Sequence, residues 1–146
     1  MFSKTCEYAI RATIYIASAY NGENKVSIED ICKNIEAPQH FTAKIMQVLS
    51  GNDIISSRKG VHGGFYITPE QLKKKLIDIV YAIDGDSIFT GCAIGLKRCS
   101  ETKPCPLHNS FKPIREKLKR VLEGSTIKEL AKDIKTGEHV LKSIFQ

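Results

Sequence analysis

The chain has 146 residues, of which 42% are hydrophobic and 26% are charged. This suits one folded domain with at most a small appended element and excludes a disordered chain. No apolar stretch approaches the ~20 residues of a membrane-spanning helix, and the N-terminal residues lack the pattern of a secretion signal, so we expect a cytoplasmic protein without a membrane partner. Its formal net charge of +6 favours a polyanionic partner.

Three short helices are predicted within the first fifty residues. Ser3 is a favourable N-cap for the first helix, and Ser27 is one for the second, which ends near Asn34. The third is predicted over 39–50, where Gly51 stops it. The residues expected to face the core are Ala9, Ile10, Thr13, Ile14 and Ala17 in the first helix and Phe41, Ile45, Val48 and Leu49 in the third.

A β-hairpin and a further helix follow. Two β-prone segments, 54–59 and 65–68, flank a glycine-rich stretch, a pattern typical of a hairpin. Thr68 and Pro69 then combine an N-cap with proline at the first helical position, and one helix is expected from there to Gly85. Its apolar face comprises Leu72, Leu76, Ile79, Val80 and Ile83.

The C-terminal part divides into a loop and helices. Residues 87–106 show no helical period and contain three of the five cysteines. Beyond them, apolar residues in steps of four and three, up to Gly124, form the seam of a helix that packs on another helix. They are Leu107, Phe111, Ile114, Leu118 and Val121. Because this seam is too large for so small a domain to cover, we expect a homodimer. Thr126 begins a short final helix.

These elements predict a mainly α fold with a small β-hairpin, namely a winged helix-turn-helix plus a long C-terminal dimerisation helix. The predicted organisation is a winged helix-turn-helix DNA-binding domain over 1–85, a cysteine-bearing sensor loop over 86–106, and the dimerisation helix with the C-terminal helix over 107–146. In this fold the third helix enters the DNA major groove, and the hairpin lies beside the backbone or minor groove. Between residues 40 and 75, six cationic side chains stand against two acidic ones, which favours such a surface.

Seven polar residues are candidate DNA contacts. They are His40, Thr42, Lys44 and Gln47 in the third helix, and Arg58, Lys59 and His62 in the hairpin, whose glycines let the backbone approach phosphates. Two alternatives stay open: a winged helix that contacts only protein, and histidines that are ordinary solvated side chains. The basic hairpin argues against the first alternative.

Three cysteines lie close together in the aperiodic segment. Six residues separate Cys92 from Cys99, five separate Cys99 from Cys105, and His108 follows three positions later. Cytosolic thiols stay reduced, so such clustering indicates metal binding or redox chemistry. Thiolates bind both iron–sulfur clusters and zinc, but structural zinc sites usually contain closer cysteine pairs. Three free thiols are the alternative.

The remaining cysteines, Cys6 and Cys32, lie in helical patterns and are expected to pack as small hydrophobic residues. The sequence contains neither a phosphate-binding glycine loop nor a nucleophile elbow. We therefore do not expect an enzyme.

The chain as a whole resembles the Rrf-two family of bacterial winged-helix transcriptional regulators. The segments that carry the resemblance are 8–11, 41–45, 57–65 and 78–85, together with the three clustered cysteines. It implies a dimer, formed through the long C-terminal helix, that binds a pseudo-palindromic operator in double-stranded DNA. Three features depart from the family pattern. The stretch 72–76 is longer, which makes two helices an alternative to one; Pro113 lies inside the long helix, where proline costs about 3 kcal/mol; and the first cysteine spacing is six rather than five.

The resemblance also implies an iron–sulfur cluster, 2Fe–2S or 4Fe–4S, held by Cys92, Cys99 and Cys105. IscR-like members take the fourth ligand from a histidine three residues after the last cysteine, which His108 matches. NsrR-like members take it from an acidic residue in the first helix of the other chain, which Glu7 of the partner subunit matches. We favour His108. A capping histidine and a surface glutamate are the alternative roles of these two residues.

The sequence therefore predicts a DNA-binding transcriptional regulator that senses iron–sulfur status, redox state or nitric oxide through a cysteine-ligated cluster. One alternative is a cluster-free family member that still binds DNA and regulates through thiol oxidation or a protein partner. Another is a metal-bearing interaction module without DNA binding.

Overall fold

The computed structural model describes residues 1–143 and contains, within them, eight helices and one two-stranded antiparallel sheet. The elements are α1 Lys4–Ser18, α2 Ile28–Ile35, α3 Gln39–Gly51, β1 Ser56–Arg58, β2 Gly64–Tyr66, α4 Pro69–Leu72, α5 Leu76–Asp84, α6 Ser87–Thr90, α7 His108–Gly124 and α8 Ile127–Lys135. The predicted fold class, mainly α with a small hairpin, is confirmed. Residues 144–146 of the predicted C-terminal region lie outside the described residues. No helix of the described chain is long and apolar enough to cross a membrane.

Side-chain caps begin the first two helices, as predicted. Ser3 Oγ accepts a hydrogen bond from the backbone N–H of Cys6 (3.0 Å), and Ser27 Oγ accepts one from the N–H of Asp30 (3.2 Å). Each cap satisfies one of the N–H groups that a helix start leaves unpaired. α3 has no side-chain cap and ends at Gly51.

The main core lies where α1 packs against α2, α3, α5 and α8. Its fully buried members include Ala9, Ala12, Ile16, Ile31, Ile35, Ile45, Met46, Leu49, Ile79 and Ile127. Burying an Ile or Leu side chain contributes about 1.5–3 kcal/mol, so these residues supply much of the stability of the domain. α8 joins this core through Ile127 and Ala131 and therefore packs against the first helix.

The inward face of α3 differs from the predicted one. Its buried residues are Thr42, Ile45, Met46 and Leu49, which follow the i, i+3, i+4, i+7 spacing of one helix face. Phe41 and Val48 are 41% and 40% exposed, and the prediction that they face the core is wrong. Each precedes a buried residue by one position, which turns it about 100° around the helix axis.

The single helix expected between Thr68 and Gly85 is two helices, α4 and α5. Lys75 adopts an extended conformation between them. Here the backbone bonds to a distant segment rather than to its own helix, because Leu76 N–H donates to Ser125 O (2.9 Å) and Ile127 N–H donates to Lys74 O (2.9 Å). This pairing, which we call the clasp, joins residues 74–76 to residues 125–127.

The predicted hairpin is confirmed, with strands shorter than the predicted segments. β1 and β2 pair in the register Ser56↔Tyr66, Ser57↔Phe65 and Arg58↔Gly64. We call residues 56–66 the wing. The turn needs glycine at position 63, where a Cβ atom would lie 2.1 Å from Arg58 O.

Gln71 ties the wing to the helices on either side of it. Its side chain is buried; Nε2 donates to Asp53 Oδ1 (2.9 Å) and to Ser56 Oγ (3.0 Å), and Oε1 accepts the N–H of Thr68 (2.9 Å). One amide therefore connects the turn after α3, strand β1 and the start of α4.

Substituting Gln71→Ala should lower the free energy of unfolding by about 1–3 kcal/mol, because the buried Gln71 amide and its three hydrogen bonds are lost. The matched control is Gln47→Ala, an exposed glutamine of α3, which should change it by no more than about 0.5 kcal/mol. Urea unfolding followed by circular dichroism measures both. Equal stability of the two variants would contradict the role of Gln71.

Candidate nucleic-acid interface and cysteine loop

The exposed face of α3 carries three of the predicted DNA contacts. His40, Lys44 and Gln47 are all exposed, and their spacing of four and three places them on one side of the helix. Thr42 does not belong to this face, since its side chain is fully buried and Oγ1 donates to Pro38 O (2.8 Å). The expectation that Thr42 reaches DNA is wrong, because the core-facing side of α3 begins at that position.

The wing presents the other three predicted contacts. Arg58, Lys59 and His62 are exposed, and Val61 at the tip is 97% exposed. Lys25, which the sequence analysis missed, adds a further cation beside the wing, with Nζ 5.9 Å from the centre of the Tyr66 ring. Its place becomes visible only through the pairing of the next residue, Val26, with Phe65 of β2.

The cysteine loop, residues 91–107 between α6 and α7, is docked on α7 through Cys99. Cys99 Sγ lies 3.1 Å from Nδ1 of His108, the first residue of α7. Arg115, two turns further along, donates from Nη2 to the same sulfur (3.1 Å) and from Nη1 to Gly91 O. Arg115 was not among the residues predicted for the site, because a cation within a basic helix carries no signal of its own.

The other two loop cysteines form a second pair. Backbone N–H groups of Ile94 and Leu96 donate to Cys92 and lower the pKa of its thiol, and a hydrogen bond with the Cys105 side chain adds to this effect. All three loop cysteines are partly buried. Among residues 1–143, no three or more His, Cys, Asp or Glu side chains are grouped as metal ligands. Three thiols and an imidazole suit an iron–sulfur centre chemically, but here they stand as two pairs.

The surroundings of His108 and Glu7 differ. His108 is buried, and its Nε2 lies 3.8 Å from Glu101 Oε1. Lys112 binds the same carboxylate, and this hydrogen bond lowers the pKa of Glu101. Glu7 belongs to the first turn of α1, where its carboxylate lies 3.3 Å from Lys4 Nζ.

Two cysteines lie outside the loop. Cys6 is buried, as predicted, whereas Cys32 is only partly buried. Cys6 is fully buried, and burial, with the nearby Asp84 carboxylate, raises the pKa of its thiol to about 12. This keeps it a neutral, packed side chain. Cys32 lies in α2 and is partly buried.

The predicted apolar seam of α7 is partly packed on the chain's own core and partly exposed. Leu118 packs on a second core cluster that contains Cys6, Val80 and the buried Leu122. The other seam residues, Leu107, Phe111, Ile114 and Val121, are 39%, 39%, 60% and 54% exposed. Pro113 lies inside the helix without ending it. It leaves the carbonyl of the exposed Asn109 without its helical partner, and water can bind there.

A model of the Rrf2 family, described as iron-dependent transcriptional regulators, matches residues 2–133. The chain belongs to the Rrf2 family. An Aquifex aeolicus protein named as an HTH-type transcriptional regulator is 32% identical over 132 residues, which are 89% of this chain and 90% of that protein. The family match includes α3, the wing, the cysteine loop and α7, so each part of the site described above lies within the shared region.

Solved Rrf2 structures share the fold. The global cysteine regulator CymR of B. subtilis superposes with a TM-score of 0.72 at 21% identity, over 90% of this chain and 96% of CymR. IscR of T. potens superposes with a TM-score of 0.73 at 19% identity, over 96% of this chain and 92% of IscR. At these identities the likeness concerns the winged-helix fold alone.

Proposed function

We propose that this Rrf2 protein is a cytoplasmic, homodimeric DNA-binding regulator, in which an iron–sulfur cluster on the cysteine loop controls the binding of a pseudo-palindromic operator. The observation that carries the proposal is the position of Cys99. This candidate ligand contacts both His108 and Arg115 of α7, the helix whose exposed apolar face is the candidate dimer contact. A change at the sulfur therefore acts directly on the helix that would set the spacing of two winged domains.

The proposed DNA surface separates two kinds of contact. Gln47, on the outer face of α3, carries an amide that can read the edge of an adenine. Arg58 and Lys59 of the wing carry charges suited to phosphates, which give affinity without sequence preference. His40, Lys44 and His62 complete the surface.

Substituting Arg58→Ala should weaken binding to every DNA sequence alike and reduce the salt slope by about two units, because the proposed dimer loses one phosphate contact in each subunit. Gln47→Ala should instead change the preference among operator sequences. Fluorescence anisotropy at several salt concentrations measures both effects. Lys119→Ala, which removes an exposed cation of α7, is the charge-matched control and should leave affinity and slope unchanged. If Arg58→Ala behaves like this control, the wing does not contact phosphate.

The exposed apolar residues of α7 support a dimer. Ile114 and Val121 are turned by about 80–100° around the helix axis from Leu122, which packs on the chain's own core, and both are exposed, as is Phe111. Apolar strips of this kind mark protein interfaces, and two copies of one helix can cover each other through a symmetric contact.

Ile114→Asp should convert the dimer to monomers, because a carboxylate would be buried in the contact without a partner. Ile114 is a more specific probe of the dimer contact than Leu118, because Leu118 also packs within its own chain and its substitution could destabilise the fold. Lys119→Asp introduces the same side chain at an exposed, polar position of α7 and should remain dimeric. Sedimentation velocity at micromolar concentration distinguishes the two. A monomeric wild-type protein would contradict the dimer.

We propose Cys92, Cys99 and Cys105 as cluster ligands, with His108 as the fourth and Glu7 of the partner subunit as the alternative. When bound, the cluster supplies a redox-active, oxidant-sensitive iron centre. The protein's part is to bring its two pairs of donors together and to offset the thiolate charge with Arg115, which already donates to Cys99 Sγ. The loop is open enough to rearrange, because Ile94 and Leu96 are half exposed.

The contact between Cys92 and Cys105 favours one alternative, a cluster-free thiol regulator. With hydrogen peroxide as oxidant, the two thiols give up two protons and two electrons, one disulfide forms, and the peroxide is reduced to two waters. This alternative predicts a colourless protein when it is purified without oxygen.

Cys99→Ala should abolish the visible absorption of anaerobically purified protein and reproduce the operator affinity of the apo protein, whereas Cys32→Ala should do neither. Holo and apo protein should differ in operator affinity by about 5- to 150-fold, the usual range of allosteric coupling. Absorption spectra with iron, sulfide and zinc analysis, followed by DNA titration at one salt concentration, measure these effects.

The fourth ligand is tested by two further variants. Of His108→Ala and Glu7→Ala, one should shift the absorption spectrum of the cluster. Equal operator binding by holo and apo protein would refute sensing, and no DNA binding by either would favour the interaction module.

A further inference from the structure

A cavity of about 680 Å³ lies between the C-terminal end of α1, the start of α4 and α8. Small-molecule sites in proteins usually measure about 300–1,000 Å³, so this cavity has the size of a ligand site. It is lined by Tyr20, Leu72, Lys73, Lys128, Lys132 and Lys135, among others. None of the residues in the proposed DNA surface or cluster site lines it.

The lining combines an apolar floor with a cationic rim. Ala17, Leu72 and Ala131 at the floor are buried, and the four lysines of the rim are exposed. Lys135 Nζ donates to Tyr20 O (3.0 Å), which holds one ammonium group at the edge of the cavity.

The charge of the lining is strongly unbalanced. Glu129 is the one carboxylate among the lining residues, and it already accepts the N–H of Thr126 (3.0 Å) as part of the cap of α8. The cations of the rim are therefore not neutralised by the cavity's own residues. An anion on the rim would relieve their mutual repulsion.

The cavity also occupies a joint of the molecule. Its α1 and α4 walls belong to the winged domain, and its α8 wall belongs to the segment that follows α7. The clasp, in which Ile127 N–H donates to Lys74 O (2.9 Å), lies beside the lining residues Lys73, Thr126 and Lys128. A ligand here would contact both sides of the joint at once.

We propose that this cavity binds a small amphipathic anion, a molecule with a carboxylate or phosphate group beside an apolar body. The anionic group lies among the lysines of the rim, and the apolar body lies on Leu72 and the ring of Tyr20. Binding holds α8 against α1 and α4. The site is independent of the cluster and of DNA.

Decanoate is a suitable probe, because it has one carboxylate and an apolar chain. Isothermal titration of the full-length protein should show saturable binding with one site per chain. The thermal midpoint should rise with decanoate concentration, as expected for a ligand that binds the folded state alone. Decylammonium, with the same chain and the opposite charge, should not bind, and inorganic phosphate should bind more weakly than decanoate.

The double variant Lys128→Gln/Lys132→Gln should weaken decanoate binding by about five- to tenfold, since it removes two exposed cation–anion contacts. Lys33→Gln, at an exposed lysine of α2 outside the cavity, is the control and should bind as the wild type does. Without ligand, all three proteins should unfold at closely similar temperatures, because substitutions of exposed side chains change stability little. The proposal is overturned if decanoate binding does not saturate. It is also overturned if decylammonium or phosphate binds as tightly as decanoate, or if the double variant binds decanoate with unchanged affinity.

Discussion

The clasp between residues 74–76 and 125–127 is the constraint on which the rest of the structure depends. It consists of two backbone hydrogen bonds between segments that lie about fifty residues apart in the sequence. α8 begins at the clasp, and its first residue, Ile127, is fully buried in the main core. α7 is therefore held at its C-terminal end by the clasp and by Leu122. At its N-terminal end it is held by the cysteine loop through His108 and Arg115. The C-terminal end of α7 is thereby tied to α5, which begins at Leu76.

The two ends of α7 are held by different forces. The C-terminal end rests on apolar burial and backbone hydrogen bonds, which are costly to break. The N-terminal end rests on polar contacts to the sulfur of Cys99, the carbonyl of Gly91 and the carboxylate of Glu101. They lie within a loop whose apolar residues Ile94 and Leu96 are half exposed. Segments with little apolar burial open at low free-energy cost. The loop is thus the end at which a chemical change can alter the structure, and the clasp is the end that stays in place.

Local rules predicted those features that depend on neighbouring residues. The caps at Ser3 and Ser27 and the hairpin at the wing follow from short patterns, and the structure contains all of them. The break between α4 and α5 depends on pairing with residues 125–127, so local patterns favoured one helix. Only the extra length of the stretch 72–76 relative to the family pattern pointed to two. The apolar pattern of α3 correctly predicted that Ile45 and Leu49 face the core. It did not determine which of their neighbours share that face. That is why Thr42 was assigned to the DNA surface and Phe41 to the core.

In the candidate cluster site, too, some features follow from local sequence and others depend on distant packing. The spacing of the cysteines identified the loop as the site, but the contact of Arg115 with Cys99 depends on how α7 packs on α6 and α5, which no local pattern reveals. α7 spans 17 residues, a length of about 25 Å at 1.5 Å per residue. A small rotation of α7 about its clasped C-terminal end therefore displaces the N-terminal end, at Cys99, the most. In the proposed dimer such a rotation would displace one winged domain relative to the other, and half-sites about 34 Å apart tolerate little displacement.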